Sequence, residues 1–425
     1  MKEALARASA FAQSDPPGPV YMTLPRETLA EEWDEADMPP YPPARYGSVQ
    51  AGGIEPARAE AIAQALMSAE SPVAFAAYLG RKPGAVAVLD RLAQTCGIRV
   101  AEFNSIDLNI PQDSPCFAGS DPLPLLETAD LGLLLDSDVP FVPQYGKRAS
   151  AMKWIQIDID PLKADFPMWG FPTDMRVQGN SSVILRQVLD AVEARADDGF
   201  RRRVAERIAS WSSAREATAK KRAAAGSNKG VPGALNPAFV FATLSGKISQ
   251  DDVVLNEAIR NGPILQEHVT RTKPQSYVGL AGGGLGFSGG MALGLKLAKP
   301  GRRIVQVIGD GGFHFSSPDS VYAVAQQYEI PIFTVVIDNG GWQAVKSAVQ
   351  RVYPKGIAAE TDQFQSRLMS GRQGERRDFS AVAKAFGAYG ECVTEPDGLA
   401  AAIDRCLAAL DDGKAAVPHV QVTRL

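Results

Sequence analysis

The chain has 425 residues, of which 45% are hydrophobic and 22% charged, and 44 basic against 48 acidic side chains give a formal net charge of −4. This length predicts two to four domains, since a domain usually holds about 100 to 200 residues. The composition excludes a collagen, a coiled coil and a wholly disordered chain. The charge balance provides no global positive field, so we expect neither a nucleic acid nor a membrane as partner.

Cysteine and histidine are scarce and scattered. The sequence has four Cys and three His, with no CxxC pair. This spacing argues against a zinc site and against a disulfide scaffold, and it predicts a protein of the reducing cytoplasm. A membrane span is not expected either, because no run of about 18 apolar residues occurs.

The first 46 residues predict one helix, over residues 1–13, and one strand, over residues 20–24. Acids and prolines then dominate residues 25–46, a composition typical of an extended, solvated linker. One helix and one strand cannot build a hydrophobic core. We therefore expect this segment to dock on another protein surface.

Helices and apolar strands alternate through most of the remaining chain, which predicts parallel sheets covered by helices. Residues 47–196 form the predicted middle domain, residues 197–235 a helical linker, and residues 236–425 a C-terminal domain. The predicted fold class is α/β, with two doubly wound parallel-sheet domains preceded by a helix and strand. The predicted helices cover residues 56–68, 84–96, 182–195, 200–225 and 318–328, and the strands cover residues 73–79, 99–103, 131–136, 154–160, 304–308 and 332–337.

Two neighbouring strands of the C-terminal domain end in polar, glycine-rich turns. Gly309-Asp310-Gly311-Gly312 follows the first strand, and Asp338-Asn339-Gly340-Gly341 follows the second. A right-handed crossover brings both ends to one edge of the sheet, so Asp310 and Asn339 should converge. Carboxylate and amide oxygens with free coordination positions suit Mg²⁺ bridged to a diphosphate. A plain strand-to-helix turn is the simpler alternative.

A second glycine cluster covers residues 282–290 and contains one large apolar residue, Leu285. Close helix packing with Leu285 in the core would explain it. In the functional interpretation the bare backbone, including Gly283 and Gly284, lies against a flat ligand while Leu285 pushes into that ligand.

Together, the two turns and the second cluster resemble the signature of thiamine diphosphate-dependent enzymes of the acetolactate synthase and benzoylformate decarboxylase type. The resemblance implies that Asp310, Asn339 and the Gly341 carbonyl bind Mg²⁺. It implies that Leu285 bends the cofactor into a V. It also implies cofactor contacts at Ile259, Arg260, Gly283, Gly284, Leu285, Gly309, Gly311, Gly312 and Asn339.

The sequence departs from this family in two places. Asp338 stands where the signature usually has Asn, and this carboxylate either alters metal affinity or caps the next turn. The family also carries an N-terminal pyrimidine-binding domain with an activating glutamate, and residues 1–27 resemble only its last helix and strand. We therefore expect a separate pyrimidine-domain subunit that supplies this Glu, and pairing of the large chain into a heterotetramer or larger assembly.

Candidate catalytic residues besides Leu285 are His268 and His314, with an exposed helix position and loop packing as the respective alternatives. The resemblance implies a lyase or carboligase acting on a small carbonyl substrate: a 2-oxo acid, a 2-hydroxyacyl compound or a 2-hydroxyketone. A catalytically silent homologue that binds the cofactor or a partner is the alternative. A nicotinamide-dependent dehydrogenase is disfavoured, since Gly309-Asp310-Gly311 lacks the dinucleotide fingerprint spacing.

Overall fold

A computed structural model describes residues 2–37, 45–142, 152–163, 170–280, 284–362, 364 and 376–424. Among the helices in these ranges, none combines the length and apolar character that crossing a bilayer requires.

The N-terminal segment contains helix α1 (Lys2–Gln13) and the short helix α2 (Arg26–Leu29). Asp15, just after α1, ties this segment to the following domain, because its carboxylate accepts from the Ala51 N–H at 2.9 Å and lies 3.2 Å from Lys82 Nζ. The helix prediction is confirmed. The strand prediction for residues 20–24 is wrong: no described strand pairs with this segment, and Tyr21 is 93% exposed. An extended apolar run becomes a strand only when a neighbour satisfies its backbone groups.

The first sheet is parallel, in the order β2-β1-β3-β4-β5. Its elements are α3 Pro56–Ser68, β1 Pro72–Ala76, α4 Pro83–Cys96, β2 Arg99–Ala101, α5 Leu123–Leu126, β3 Leu131–Leu135, β4 Lys153–Asp158, β5 Met175–Gln178 and α6 Ser181–Glu193. Aliphatic residues of α3, α4 and α6 fill one face. Phe75, Phe141 and Trp154 pack together on the other face. Each strand is a short apolar run, as expected for strands buried on both faces.

The linker consists of helices α7 (Asp198–Ser210) and α8 (Ser212–Ser227), followed by a hairpin of β6 (Gly230–Val231) and β7 (Ala234–Leu235). The single helix predicted over residues 200–225 is thus interrupted at Trp211. This indole lies 6.0 Å from the Arg99 guanidinium and packs on the core of the first sheet, a tertiary contact that helix propensity does not encode.

The second sheet is also parallel, in the order β12-β13-β11-β10-β8-β9. Its elements are α9 Pro237–Ser245, β8 Val253–Glu257, α10 Gly262–His268, β9 Tyr277–Val278, α11 Phe287–Ala298, β10 Ile304–Gly309, α12 Asp310–Phe315, α13 Pro318–Gln327, β11 Phe333–Asp338, α14 Gln343–Val352, α15 Ile357–Thr361, α16 Ser380–Ala385, β12 Tyr389–Val393, α17 Leu399–Asp411 and β13 Ala416–Gln421. Helices α9 and α17 cover one face, and α11, α13 and α16 cover the other. The predicted α/β class with two parallel sheets is confirmed.

Strand register brings the functional turns together. Gly309, the last residue of β10, pairs with Ile337 of β11. Asp310 and Asp338 therefore occupy equivalent positions at the carboxyl ends of two adjacent strands. On the other side of β10, Ile308 pairs with Glu257, the last residue of β8. We call the carboxyl ends of β8, β10 and β11 the ligand edge, since parallel α/β sheets bind ligands there.

Candidate functional site

Two buried oxygen atoms without partners mark the ligand edge. Asp310 is 3% exposed and Asn339 is 6% exposed. Asp310 Oδ1 accepts from the Gly311 N–H at 2.9 Å, whereas Asp310 Oδ2 and Asn339 Oδ1 have no hydrogen-bond partner among the described residues. Buried polar atoms are normally hydrogen-bonded, so an orphaned carboxylate oxygen and an orphaned amide oxygen at adjacent strand ends are candidate ligands for a cation.

Electrostatics at Asp310 support this interpretation. Burial, and after it the nearby Asp338 carboxylate, raises the pKa of the Asp310 carboxyl group to about 7, against the opposing effect of the Gly311 and Gly341 backbones. A carboxyl group this costly to ionise gains much from an adjacent positive charge. A divalent cation would supply that charge.

Asp338 is held by other partners. Its Oδ1 accepts from the Gly340 N–H at 2.8 Å, and its Oδ2 lies 3.1 Å from His419 Nε2 and 4.0 Å from an Arg376 nitrogen. Burial alone would raise the pKa of Asp338, but the His419 hydrogen bond and charge outweigh burial and lower it. Of the two expectations for this residue, the structure contains the cap on the next turn. Sequence reasoning did not identify His419, because the sequence does not show that β13 lies next to β11.

The glycines after β10 and β11 permit close approach. A Cβ on Gly311 would lie 2.5 Å from a ring carbon of Trp342, so only glycine fits beneath this indole. Gly340 and Gly341 adopt φ angles of 85° and 127°. The Gly341 carbonyl accepts from the Gln343 N–H at 2.8 Å and retains its second lone pair for a further partner.

Glu257 anchors the loop that carries Leu285. This residue is 2% exposed; its Oε1 accepts from the Gly286 N–H and its Oε2 from the Ser288 N–H at 2.9 Å. Gly286 also sits so close to Phe315 that a Cβ would come 2.5 Å from the Phe315 carbonyl carbon. Leu285 is half-buried at the front of α11. Sequence reasoning missed Glu257 as a site residue, although an acid ending a buried strand at the ligand edge was the available signal.

The structure describes all but one of the remaining predicted cofactor residues. Gly284 is exposed beside Leu285, Gly312 approaches Glu257, and Gly283 lies outside the described residues. Ile259 is 45% exposed, and Arg260 has a buried Nε without a hydrogen-bond partner among the described residues.

A cavity of about 440 Å³ opens beside Ile259, between the ligand edge and the first sheet. Glu257 and Ile259 line it from β8, and Tyr78 and Asn104 line it from the ends of β1 and β2. The cavity therefore connects the ligand edge with space large enough for part of a small molecule.

The two candidate catalytic histidines are not brought together. His314 is exposed on α12, next to Phe315, whose ring packs 5.5 Å from Trp342. His268 is only 7% exposed and lies in the last turn of α10, near Gly226 of α8. Burial lowers its pKa. His314 thus borders the ligand edge, whereas His268 sits at the opposite end of its helix from that edge.

The fold and site define an α/β protein with two parallel sheets and a group of buried side-chain oxygens where two central strands of the second sheet end. Residues 261–420 match the family described as thiamine pyrophosphate enzyme, C-terminal TPP binding domain. This range includes Leu285, Asp310 and Asn339. The match supports the thiamine diphosphate-dependent family that the sequence resembles.

Similar proteins point the same way. The chain is 25% identical over 428 residues to a probable acetolactate synthase large subunit of Methanocaldococcus jannaschii, covering 93% of this chain and 65% of the relative. It is 27% identical over 177 residues to benzoylformate decarboxylase of Pseudomonas aeruginosa, covering 42% and 31%. The chain therefore aligns with less than two thirds of these relatives' length. These relatives support an enzyme of the thiamine diphosphate-dependent class.

The fold is shared with a solved thiamine diphosphate-dependent 4-hydroxybenzoylformate decarboxylase of Rhodococcus jostii RHA1. The TM-score is 0.77 at 19% identity, and the superposition covers 99% of this chain and 74% of the other. Benzoylformate decarboxylase from Polynucleobacter necessarius gives 0.74 at 19% identity, covering 99% and 73%.

Proposed function

We propose that this chain supplies the metal and diphosphate half of the cofactor site in a thiamine diphosphate- and Mg²⁺-dependent enzyme that makes or breaks a C–C bond next to a carbonyl group. The observation that carries the proposal is the pair of partnerless, buried oxygens on Asp310 and Asn339 at adjacent strand ends, inside the segment that matches the family.

The donor set fits the proposed group. Asp310 Oδ2, Asn339 Oδ1 and the Gly341 carbonyl are oxygen ligands, which Mg²⁺ prefers, and diphosphate oxygens would complete the coordination. Gly311 and Gly312 leave the space next to them free of side chains of their own. When bound, thiamine diphosphate supplies an electron sink for the pair released as a C–C bond breaks.

Protein residues would position that group from its other side. Glu257 accepts hydrogen bonds from the Gly286 and Ser288 N–H groups. These bonds fix the backbone next to Leu285 and so the position of its side chain relative to the ligand edge. An apolar side chain there excludes water and orients a flat ligand by shape. Trp342 and Phe315 form the adjacent apolar wall.

For the substrate we propose a 2-oxo acid or a related 2-hydroxyacyl or 2-hydroxyketone compound. The support is the similarity to a probable acetolactate synthase large subunit and to a benzoylformate decarboxylase, an enzyme that acts on a 2-oxo acid. The cavity of about 440 Å³ beside Ile259 would accommodate such a small molecule.

We further propose that a pyrimidine-binding domain on a separate polypeptide supplies the activating Glu, in an assembly with paired large chains. Support comes from the N-terminal segment, where Phe11 is 74% and Tyr21 is 93% exposed. Apolar side chains left in water on a helix and an unpaired extended run favour docking on a partner.

Calorimetry of the full chain with inorganic pyrophosphate, with and without Mg²⁺, tests the metal assignment independently of catalysis. Pyrophosphate should bind only with Mg²⁺, and Asp310→Ala should weaken this binding by more than about tenfold, the lower end of what losing even an outer-shell partner costs. Asp319→Ala, an exposed acid at the start of α13, is the matched control and should bind as the unmodified chain does. Equal affinities for the unmodified chain and Asp310→Ala would contradict the proposal.

A further inference from the structure

A second group of potential metal ligands lies beyond the ligand edge, on the outer strands of the same sheet. Cys392 of β12 pairs directly with His419 of β13, so the two side chains project from adjacent positions. Asp378, just before α16, lies over them. The three residues are distant in sequence, and the strand order alone brings them together.

The donor atoms have nearly the spacing of a metal site. His419 Nδ1, Cys392 Sγ and an Asp378 carboxylate oxygen all lie within 4.8 Å of one another. Nδ1 and Asp378 Oδ1 are 3.6 Å apart. Tetrahedral zinc, with bonds of about 2.0 to 2.3 Å, holds its ligand atoms roughly 3.3 to 3.8 Å apart. The widest pair is at most 4.8 Å apart, so a closure of no more than about 1.0 to 1.5 Å would bring it to that spacing.

His419 is oriented for ligation. The residue is fully buried, its Nε2 lies 3.1 Å from Asp338 Oδ2, and its Nδ1 has no hydrogen-bond partner among the described residues. A carboxylate that accepts from one imidazole nitrogen orients the ring so that the other nitrogen can bind a metal. Burial lowers the pKa of His419, but Asp338 and Cys392 outweigh burial and raise it to about 9, so a cation must displace the Nδ1 proton. The buried Nδ1, which lies 3.6 Å from Asp378 Oδ1 and makes no hydrogen bond among the described residues, is a separate observation that points to a ligand.

We propose that Asp378, Cys392 and His419 bind a divalent cation of the zinc class. The mixed oxygen, sulfur and nitrogen set selects such a borderline cation, whereas the all-oxygen set at Asp310 and Asn339 suits Mg²⁺. The chain would then hold two metals of different chemistry on one sheet.

Charge and access agree with this assignment. Ligation requires Cys392 as thiolate and His419 neutral, and Asp338, Asp378 and Cys392 then carry three negative charges against the positive charges of Arg376 and Lys384. A divalent cation would stabilise this net negative group. The Asp378 side chain is 41% exposed and Cys392 is half-buried, so the group is accessible from solvent.

Cobalt titration of the full chain in excess Mg²⁺ tests the site, because Co²⁺ bound to a thiolate gives a charge-transfer absorption band that carboxylate-bound Co²⁺ lacks. We expect the band to saturate at one equivalent of Co²⁺ and to disappear on addition of Zn²⁺. Cys392→Ser should abolish the band. Asp338→Asn should weaken cobalt binding by roughly 10- to 100-fold, as the loss of an outer-shell partner does.

Two control variants locate the band. Cys406→Ala removes a buried thiol from the same domain, and Asp310→Ala removes the expected magnesium ligand; both should retain the band. The absence of a charge-transfer band in the unmodified chain, or its persistence in Cys392→Ser, would overturn the proposal. Loss of the band in Asp310→Ala would also overturn it, since the cobalt would then depend on the ligand edge.

Discussion

Individual side chains at the ligand edge show where sequence reasoning succeeds and where it stops. Asp310 and Asn339 were expected to converge because they end adjacent parallel strands, and the register of β10 and β11 brings the two strand exits side by side. Sequence reasoning does not identify His419, since its role depends on the pairing of β13 with β11. It also misses Glu257, although an acid at the end of a buried strand is a local signal. The partners of Asp338 likewise appear only when β13 is placed beside β11.

Glu257→Gln is predicted to lower the stability of the C-terminal domain. The two carboxylate oxygens accept from the Gly286 and Ser288 N–H groups, and an amide nitrogen would face one of these donors instead. A buried donor left unsatisfied costs about 1 to 3 kcal/mol. Denaturant unfolding monitored by circular dichroism should show this loss, while Glu267→Gln, at an exposed position of α10, should show none. An unchanged free energy of unfolding in Glu257→Gln would mean that the loop is held by other contacts.

Gly311→Ala tests the contact beneath Trp342. The added Cβ would lie 2.5 Å from the indole, so either the ring or the backbone must move, and such overpacking costs about 1 to 3 kcal/mol. Gly309→Ala, in the same turn, is the matched control because its Cβ would meet no atom within 4 Å. Thermal unfolding followed by tryptophan fluorescence compares the two variants. A shift of equal size in both would contradict the steric argument.

At the scale of helices and strands, prediction worked where a segment carries its own signals. Helix α3 spans Pro56–Ser68 as expected, since proline at the first helical position and the apolar spacing are local features. It failed where a tertiary partner decides the outcome. The extended run at residues 20–24 has no strand beside it, and Trp211 interrupts a charged sequence that otherwise favours one helix. The small hairpin of β6 and β7 in the glycine-rich linker is likewise not predicted, because its two strands are only two residues long and carry no pattern of their own.

Helix α7 provides a test of local capping. Asp197 accepts from the Phe200 N–H at 2.7 Å and so satisfies one of the free donors at the helix start. Asp197→Ala should destabilise the first-sheet domain by about 0.5 to 2 kcal/mol, because Phe200 and Val204 of α7 belong to its core. Asp198→Ala, whose side chain is 91% exposed, should have a smaller effect. Differential scanning calorimetry would distinguish them, and equal shifts would refute a capping role for Asp197.

On the scale of the whole molecule, the two sheets meet at a shared polar cleft. Tyr78 lines the cavity from the first sheet and hydrogen-bonds Asp138 at 3.0 Å and Asp158 at 3.1 Å. Lys163 lies 2.8 Å from Asp158, so these polar groups satisfy one another at the carboxyl end of that sheet. The ligand edge of the second sheet differs, since Asp310 Oδ2 and Asn339 Oδ1 have no hydrogen-bond partner in the part of the chain that the structure describes.

The exposed N-terminal segment is where we expect a partner chain to dock. Phe11 on α1 is 74% exposed, while Asp15 fixes the end of α1 to the first-sheet domain, so the helix presents an apolar side chain from a defined position. If a separate pyrimidine-binding domain docks there, the tagged full chain recovered from its native cells should carry a second polypeptide of domain size, and the pair should bind thiamine diphosphate more tightly than this chain alone.

Phe11→Ser should weaken retention of that polypeptide, because burying a phenylalanine contributes about 1.5 to 3 kcal/mol. Val231→Ser, at a 60% exposed position of the hairpin, should retain it fully. Recovery of the chain alone with full turnover of a 2-oxo acid would refute the two-chain proposal and leave the metal assignment to be judged by the pyrophosphate titration.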